Sequence, residues 1–115
     1  MATQAVTPEG LRRLTAAELH ELLQRGERPL LVDVREDAEF AAGHLPGAVH
    51  IPLGQLPQRL AEIKPQSDPV FICRSGGRSM TACQLALRAG IRSPANLEGG
   101  MSAWAASIDP SVRVL

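Results

Sequence analysis

Aromatic residues make up only 3% of this 115-residue chain, which has one Trp, two Phe and no Tyr. Proteins that hold single-stranded nucleic acid stack its bases on exposed aromatic rings, so that class of partner is not expected. An excess of charge is also missing, with 12 basic residues against 12 acidic ones. Without a net field there is no long-range pull toward nucleic acid or an anionic membrane, and any anion must be caught by a few local groups. No stretch approaches the ~18 consecutive apolar residues of a membrane span. Residues 1–14 hold no long apolar run of the kind a secretory signal needs. Two cysteines, Cys73 and Cys83, are too few for a disulfide framework. The expected setting is a reducing cytoplasm with both thiols free.

What is present suffices for one hydrophobic core: 44% of residues are hydrophobic and 21% charged. The length predicts a single domain over residues 1–115, with a core at about residues 14–106, a short N-terminal segment and a loosely held tail after Ile108. Thr15 and Glu18 form a capping box. Leu19, Leu22 and Leu23 then recur at helical spacing, and Gly26 supplies a left-handed stop. The apolar runs at residues 30–34 and 69–73 are too short for helices and read as strands buried on both faces. Residues 48–51 are a weaker third. Helical patterns fall at residues 37–42, about 53–63, and 79–89 with Gly90 as the cap. Strands alternating with helices predict an α/β fold around a mostly parallel sheet.

One segment carries the chemistry: Cys73-Arg74-Ser75-Gly76-Gly77-Arg78-Ser79. It starts where a buried strand ends and finishes where a helix begins, which is where open α/β sheets bind ligands. Paired glycines let the backbone turn its N–H groups inward as an anion-binding nest, and the helix start adds further donors. Arg74 and Arg78 add two permanent charges. Each of these favours thiolate over thiol at Cys73, so no histidine base is needed. Cys83 falls within the following helix and reads as buried packing rather than as a resolving thiol. His44 stands in a turn, Gly43-His44-Leu45-Pro46-Gly47, and has no partners at metal-ligand spacing; a structural hydrogen bond is expected of it. His20 and His50 have no motif around them. Asp33 and Arg35 straddle a strand end and are expected to pair and brace the pocket, Arg35 also adding positive potential at its mouth. Trp104 is expected in the core beneath the last helix, near enough to sense the state of Cys73.

These segments resemble the rhodanese family. Leu31-Val32-Asp33-Val34-Arg35, Glu39, Gly43-His44-Leu45-Pro46-Gly47-Ala48 and Ile51-Pro52 look like its first signature. Val70 to Ser79 is similar to its active-site segment, and Leu97-Glu98-Gly99-Gly100-Met101-Ser102-Ala103-Trp104 to its C-terminal one. The resemblance spans about Leu14 to Trp104. It implies a five-stranded, mostly parallel sheet flanked by helices on both faces, and Cys73 as the nucleophile of a double displacement. Thiosulfate or a similar donor would pass its outer sulfur to Cys73, and the persulfide would hand it to a thiophile, cyanide in the usual assay or a protein thiol. Backbone N–H groups from Arg74 to Ser79 would cradle that sulfur, and Arg74 and Arg78 would orient the anionic donor. No metal or organic cofactor is implied, nor any nucleic acid or membrane partner, and a monomer is expected. Phosphatases of the same architecture carry one more residue between cysteine and arginine than Cys73 and Arg78 do here, so a site for one sulfur atom is expected over one for phosphate or arsenate, and a phosphatase or arsenate reductase is the less expected reading. The remaining alternative is a protein–protein sulfur relay or recognition module with little turnover of small donors.

Overall fold

The computed structural model describes residues 5–6 and 10–115. Most of the short N-terminal segment expected before residue 14 therefore lies outside the described residues. The strands are β1 (Ala5–Val6), β2 (Arg12–Leu14), β3 (Leu31–Asp33), β4 (Val49–His50), β5 (Val70–Ile72) and β6 (Ala95–Leu97). They join one sheet in the order β1-β2-β6-β5-β3-β4. Five of them, β2 to β6, run parallel, and β1 is added antiparallel at the edge beside β2. The expected five-stranded parallel α/β sheet is therefore present, with one extra edge strand.

Among the described residues five helices cover the sheet: α1 (Ala16–Gln24), α2 (Asp37–Ala42), α3 (Leu56–Arg59), α4 (Gly77–Arg88) and α5 (Gly100–Ser107). None of these is long and apolar enough to cross a membrane. The capping box of α1 is formed as its sequence predicts: the Thr15 side chain accepts from Glu18 N at 3.1 Å, and Thr15 N donates to the Glu18 carboxylate at 2.8 Å. Gly26, just past its C-cap, has φ 87°, the left-handed stop that glycine adopts without steric cost.

Strand periodicity sorts the core into two layers. Leu31, Val70 and Ile72 point to the side of α1 and α5, where they meet Leu14, Leu19, Leu97, Met101 and Trp104. Val32, Phe71 and Cys73 alternate to the opposite side, where Leu56, Ala82, Cys83 and Ala86 of α3 and α4 lie. Trp104 is thus on the other side of the sheet from Cys73, edge-on to His20 at 6.0 Å between ring centroids. The sheet lies between the two, so the expected proximity of Trp104 to Cys73 is corrected.

Two other expectations change. The helix predicted over residues 53–63 is α3 alone, flanked by 3-10 turns at Leu53–Gln55 and Leu60–Glu62. Gly54 and Pro57 interrupt regular α-helical bonding there. The tail after Ile108 is not loose: Val112 and Val114 pack against the α1–α5 core. At Gly43 the tail comes so close that a Cβ would lie 2.5 Å from the Arg113 carbonyl oxygen.

Candidate active site

β5 ends at Ile72, so Cys73 emerges at the carboxyl edge of a central strand between β3 and β6. The chain then turns through Arg74, Ser75 and Gly76 into α4. Gly76 is the N-cap at φ 111°, a conformation that costs an L side chain dearly. This turn brings Gly76 N–H onto Cys73 Sγ at 3.0 Å, and Ser79 Oγ approaches the same sulfur at 3.3 Å. Cys73 itself is only 1% exposed. Burial pushes its thiol pKa up, but the Ser79 hydroxyl and the backbone N–H groups of Ser79, Gly76 and Ser75 more than offset it, and the thiol lies below its ordinary value.

The arginines act differently from the simple expectation of two free charges around a thiolate. Arg78 grips Glu39 of α2 in a bidentate pair, Nη1 to Oε1 at 2.7 Å and Nη2 to Oε2 at 2.8 Å. Arg74 is exposed and has no carboxylate partner among the described residues. Ser75 and Gly77 are exposed, Gly76 half-buried and Ser79 buried. The groups that lower the Cys73 pKa most are hydrogen-bond donors of the loop and the start of α4, and Arg78, in Coulombic contact with the sulfur, adds to them.

Asp33 and Arg35 pair as expected, but wholly inside. Both side chains are 0% exposed, with Arg35 Nη2 2.8 Å from Asp33 Oδ2 and Nε 2.9 Å from Oδ1. Arg35 Nη2 also donates to the Gly43 carbonyl at 2.7 Å. The placement of Arg35 at the pocket mouth is corrected: its guanidinium is fully buried, with Nε and Nη2 closed onto Asp33 and the Gly43 carbonyl and Nη1 without a partner among the described residues, and it braces the sheet edge instead. Cys83 is buried in α4 with its thiol pushed up to about 12 by desolvation, which leaves it inert toward exchange at neutral pH. His44 Nδ1 donates to the Phe40 carbonyl at 2.8 Å, and its ring stacks on Phe40 at 3.7 Å between centroids. His50 stacks on the opposite side of Phe40, 4.4 Å away, and donates to the Arg35 carbonyl at 2.7 Å.

Several residues join the site that sequence reasoning did not assign to it. Glu39 reaches Arg78 across 39 positions of chain. Asn96 on β6 accepts from the Ser79 hydroxyl, and its own amide donates to Glu98 at 2.8 Å. An asparagine in the middle of a strand buried at every position was the available signal, since such a group needs partners. The start of α5 closes the far side: Met101 N–H donates to the Cys73 carbonyl at 2.8 Å and Ser102 N–H to the Arg74 carbonyl at 2.9 Å.

Residues 15–107 match the Rhodanese-like domain family. The chain belongs to the rhodanese-like family. YtwF of Bacillus subtilis is 40% identical to this rhodanese-like chain over 100 residues, covering 87% of it and 96% of YtwF. A sulfurtransferase of Allochromatium vinosum is 39% identical over 95 residues, covering 83% of this chain and 89% of its own. The solved structure of the human single-domain sulfurtransferase TSTD1 matches with a TM-score of 0.75 at 33% identity, covering 83% of this chain and 96% of TSTD1.

Within this rhodanese-like domain, the Arg78–Glu39 pair gives a measurable pH signature. Hydrogen bonding from Arg78 first, and its charge with it, lowers the Glu39 pKa from the ordinary 4.5 to about 2. A carboxylate depressed on folding adds stability that is complete above about pH 4.5 and is lost as pH falls toward about 2. Thermal melts between those limits should therefore fall more steeply for the native protein than for Glu39→Gln. The two curves should converge near pH 2, and parallel curves would exclude the pair as a stabilising contact.

Proposed function

We propose that this chain transfers sulfane sulfur in two steps through a persulfide on Cys73. The observation that carries the reading is a buried thiol held below its ordinary pKa by the loop N–H groups and Ser79. The thiolate attacks the outer sulfur of thiosulfate or a similar donor. A new S–S bond forms, the donor's S–S bond breaks, and sulfite leaves with the bonding pair. A thiophile then attacks the outer sulfur of the persulfide, cyanide leaving as thiocyanate in vitro, and the Cys73 thiolate is regenerated. Splitting the transfer in this way replaces one difficult step by two easier ones, and it needs no metal or organic cofactor.

Ser75, Gly76 and Ser79 serve the sulfur through their N–H groups, and Gly77 opens α4 beside them. Arg74 meets the anionic donor at the surface, and Arg78 reaches it only in competition with Glu39. That competition also argues against phosphate hydrolysis, for which a free bidentate arginine is the usual anchor. Donor and acceptor are small molecules, or a protein thiol as acceptor, with a monomer acting in the cytoplasm. Free thiols at Cys73 and Cys83 suit that reducing setting.

A protein sulfur relay is the second reading. It is favoured by Arg74 being the loop's lone arginine without a carboxylate partner among the described residues, which makes for a weak trap for small dianions. The deciding measurement is intact mass after brief exposure to thiosulfate. A gain of one sulfur atom, removed again by cyanide, is expected. No gain with thiosulfate, together with rapid loading from a protein persulfide, would replace the first reading by the second.

A further inference from the structure

The Ser79 hydroxyl has one proton and two claimants. Its oxygen lies 3.3 Å from Cys73 Sγ and is hydrogen-bonded to Asn96 Oδ1, a carbonyl oxygen that can only accept. The direction of the Asn96 amide is fixed from behind. Its Nδ2 donates to Glu98 Oε2 at 2.8 Å, and reversing it would set a carbonyl oxygen against a carboxylate. Glu98 therefore holds Asn96 with its acceptor toward Ser79, and the Ser79 proton points to Asn96. The lone pairs of Ser79 then face the sulfur, an arrangement that suits a Cys73 thiol donating its S–H to Ser79. A thiolate needs the opposite: the thiol proton leaves to solvent, and the hydroxyl swings from Asn96 to the sulfur. Asn96, only 1% exposed, then lacks the donor its oxygen had.

We infer that Asn96, locked by Glu98, is a positioning residue: it draws the Ser79 hydroxyl proton away from Cys73 and so sets how readily that thiol ionises. The device has a direction in the cycle. When the thiolate attacks a donor and becomes the inner sulfur of a persulfide, Sγ loses its charge and the hydroxyl returns to Asn96. When the persulfide is consumed, the hydroxyl swings back to meet the departing thiolate. The same hydroxyl thus balances Cys73 as nucleophile against Cys73 as leaving group, and neither half of the exchange is favoured at the expense of the other.

Several charged or titratable groups face this cluster. Arg74 is in the loop, Arg78 is paired with Glu39 of α2, and Cys83 lies further along α4. Arg12 on β2 lies within electrostatic range of Cys83, and Arg13 is 3.5 Å from Glu98. Of these, Arg13 is the one that loses a partner when Glu98 is changed. Cys83, with its thiol pushed up to about 12, stays silent through the range in which Cys73 titrates.

The inference rests on Cys73 being the reacting thiol, but its test uses no sulfur donor, so it can fail or hold independently of the sulfur-transfer reading. The pH dependence of Cys73 alkylation by iodoacetamide would be measured for the native protein, Glu98→Gln, Ser79→Ala and the double variant. In Glu98→Gln the Asn96 amide is free to reverse and donate to Ser79 Oγ, which sends the hydroxyl proton to the sulfur. The alkylation midpoint should fall by about half to one pH unit, roughly three- to tenfold more thiolate below the midpoint. The same substitution in the Ser79→Ala background should move it little, because no hydroxyl remains to redirect. Asn96→Leu, which removes the competing acceptor, should also lower the midpoint and gives an independent check. An equal fall with and without Ser79 would mean that Glu98 acts only through its charge, and an unchanged or raised midpoint in Glu98→Gln would mean that the amide is not locked. Either result overturns the proposal.

Discussion

Cys73→Ser should abolish sulfur loading while leaving the fold in place. Serine keeps the size and shape of the side chain to within one atom, and the position is served by the Gly76 N–H and the Ser79 hydroxyl, both of which bond oxygen as well as sulfur. The chemistry does not survive the exchange. A serine hydroxyl has no ionisation near neutral pH, and the loop lowers a thiol already close to that range rather than an alcohol far above it. The rate of sulfur transfer should drop by more than about 10⁴-fold, the scale on which removing a covalent nucleophile acts. Intact mass should show no added sulfur at any thiosulfate concentration. The melting temperature should stay within a few degrees, since the change trades one small buried group for another that can be hydrogen-bonded in place. Retained loading in this variant would move the reacting sulfur to Cys83. That outcome conflicts with a thiol held at about 12 and buried in α4.

The parts of the molecule legible in sequence are those specified locally. β3 and β5 are short apolar runs, the cap of α1 is a four-residue pattern, and the loop from Cys73 to Ser79 collects its glycines, cysteine and helix start within one stretch. Three strands escaped, β1, β2 and β6, the last two because their residues contradict strand composition. β2 begins with Arg12 and Arg13, whose charges are used sideways: Arg12 Nε donates to the Ser93 carbonyl at 2.6 Å and Nη2 to that of Asp68 at 2.9 Å, tying two turns to the sheet. β6 carries Asn96 at its centre, where its polarity serves Ser79 and Glu98 rather than solvent. The charge state of the loop was likewise out of reach. Arg74 and Arg78 are equivalent on paper, and only the packing of α2 beside α4 gives one of them a carboxylate. Arg35 shows the same gap: its partner Asp33 is two residues away, but whether the pair faces solvent or core depends on how the tail and the turn at Gly43 close over it.

Gly100→Ala should be strongly destabilising, and the damage should reach the loop. Gly100 opens α5 at φ 55°, where an L side chain costs roughly 1–2 kcal/mol. A Cβ there would also run into the Cys73 carbonyl oxygen and stand 2.7 Å from the carbonyl carbon and oxygen of Arg74. All three are backbone atoms that cannot swing aside as a side chain end would. They belong to the peptide units that Met101 and Ser102 hold by their N–H groups at 2.8 and 2.9 Å, so relief of the clash must separate α5 from the loop. Strain and overpacking together should cost about 3 kcal/mol or more, a fall of roughly 10 °C or more in melting temperature for a domain of this size. Sulfur loading should fall with it even well below the melting point, because the Gly76 N–H and Ser79 hydroxyl meet Cys73 only when the turn keeps its shape. Gly77→Ala provides the contrast. Its φ is not positive and a Cβ there meets nothing within 4 Å, so its stability should be unchanged or raised by up to about 1 kcal/mol. Comparable melting temperatures for the two variants would mean that α5 does not hold the loop in place, and the close approach at Gly100 would then carry no weight in shaping the site.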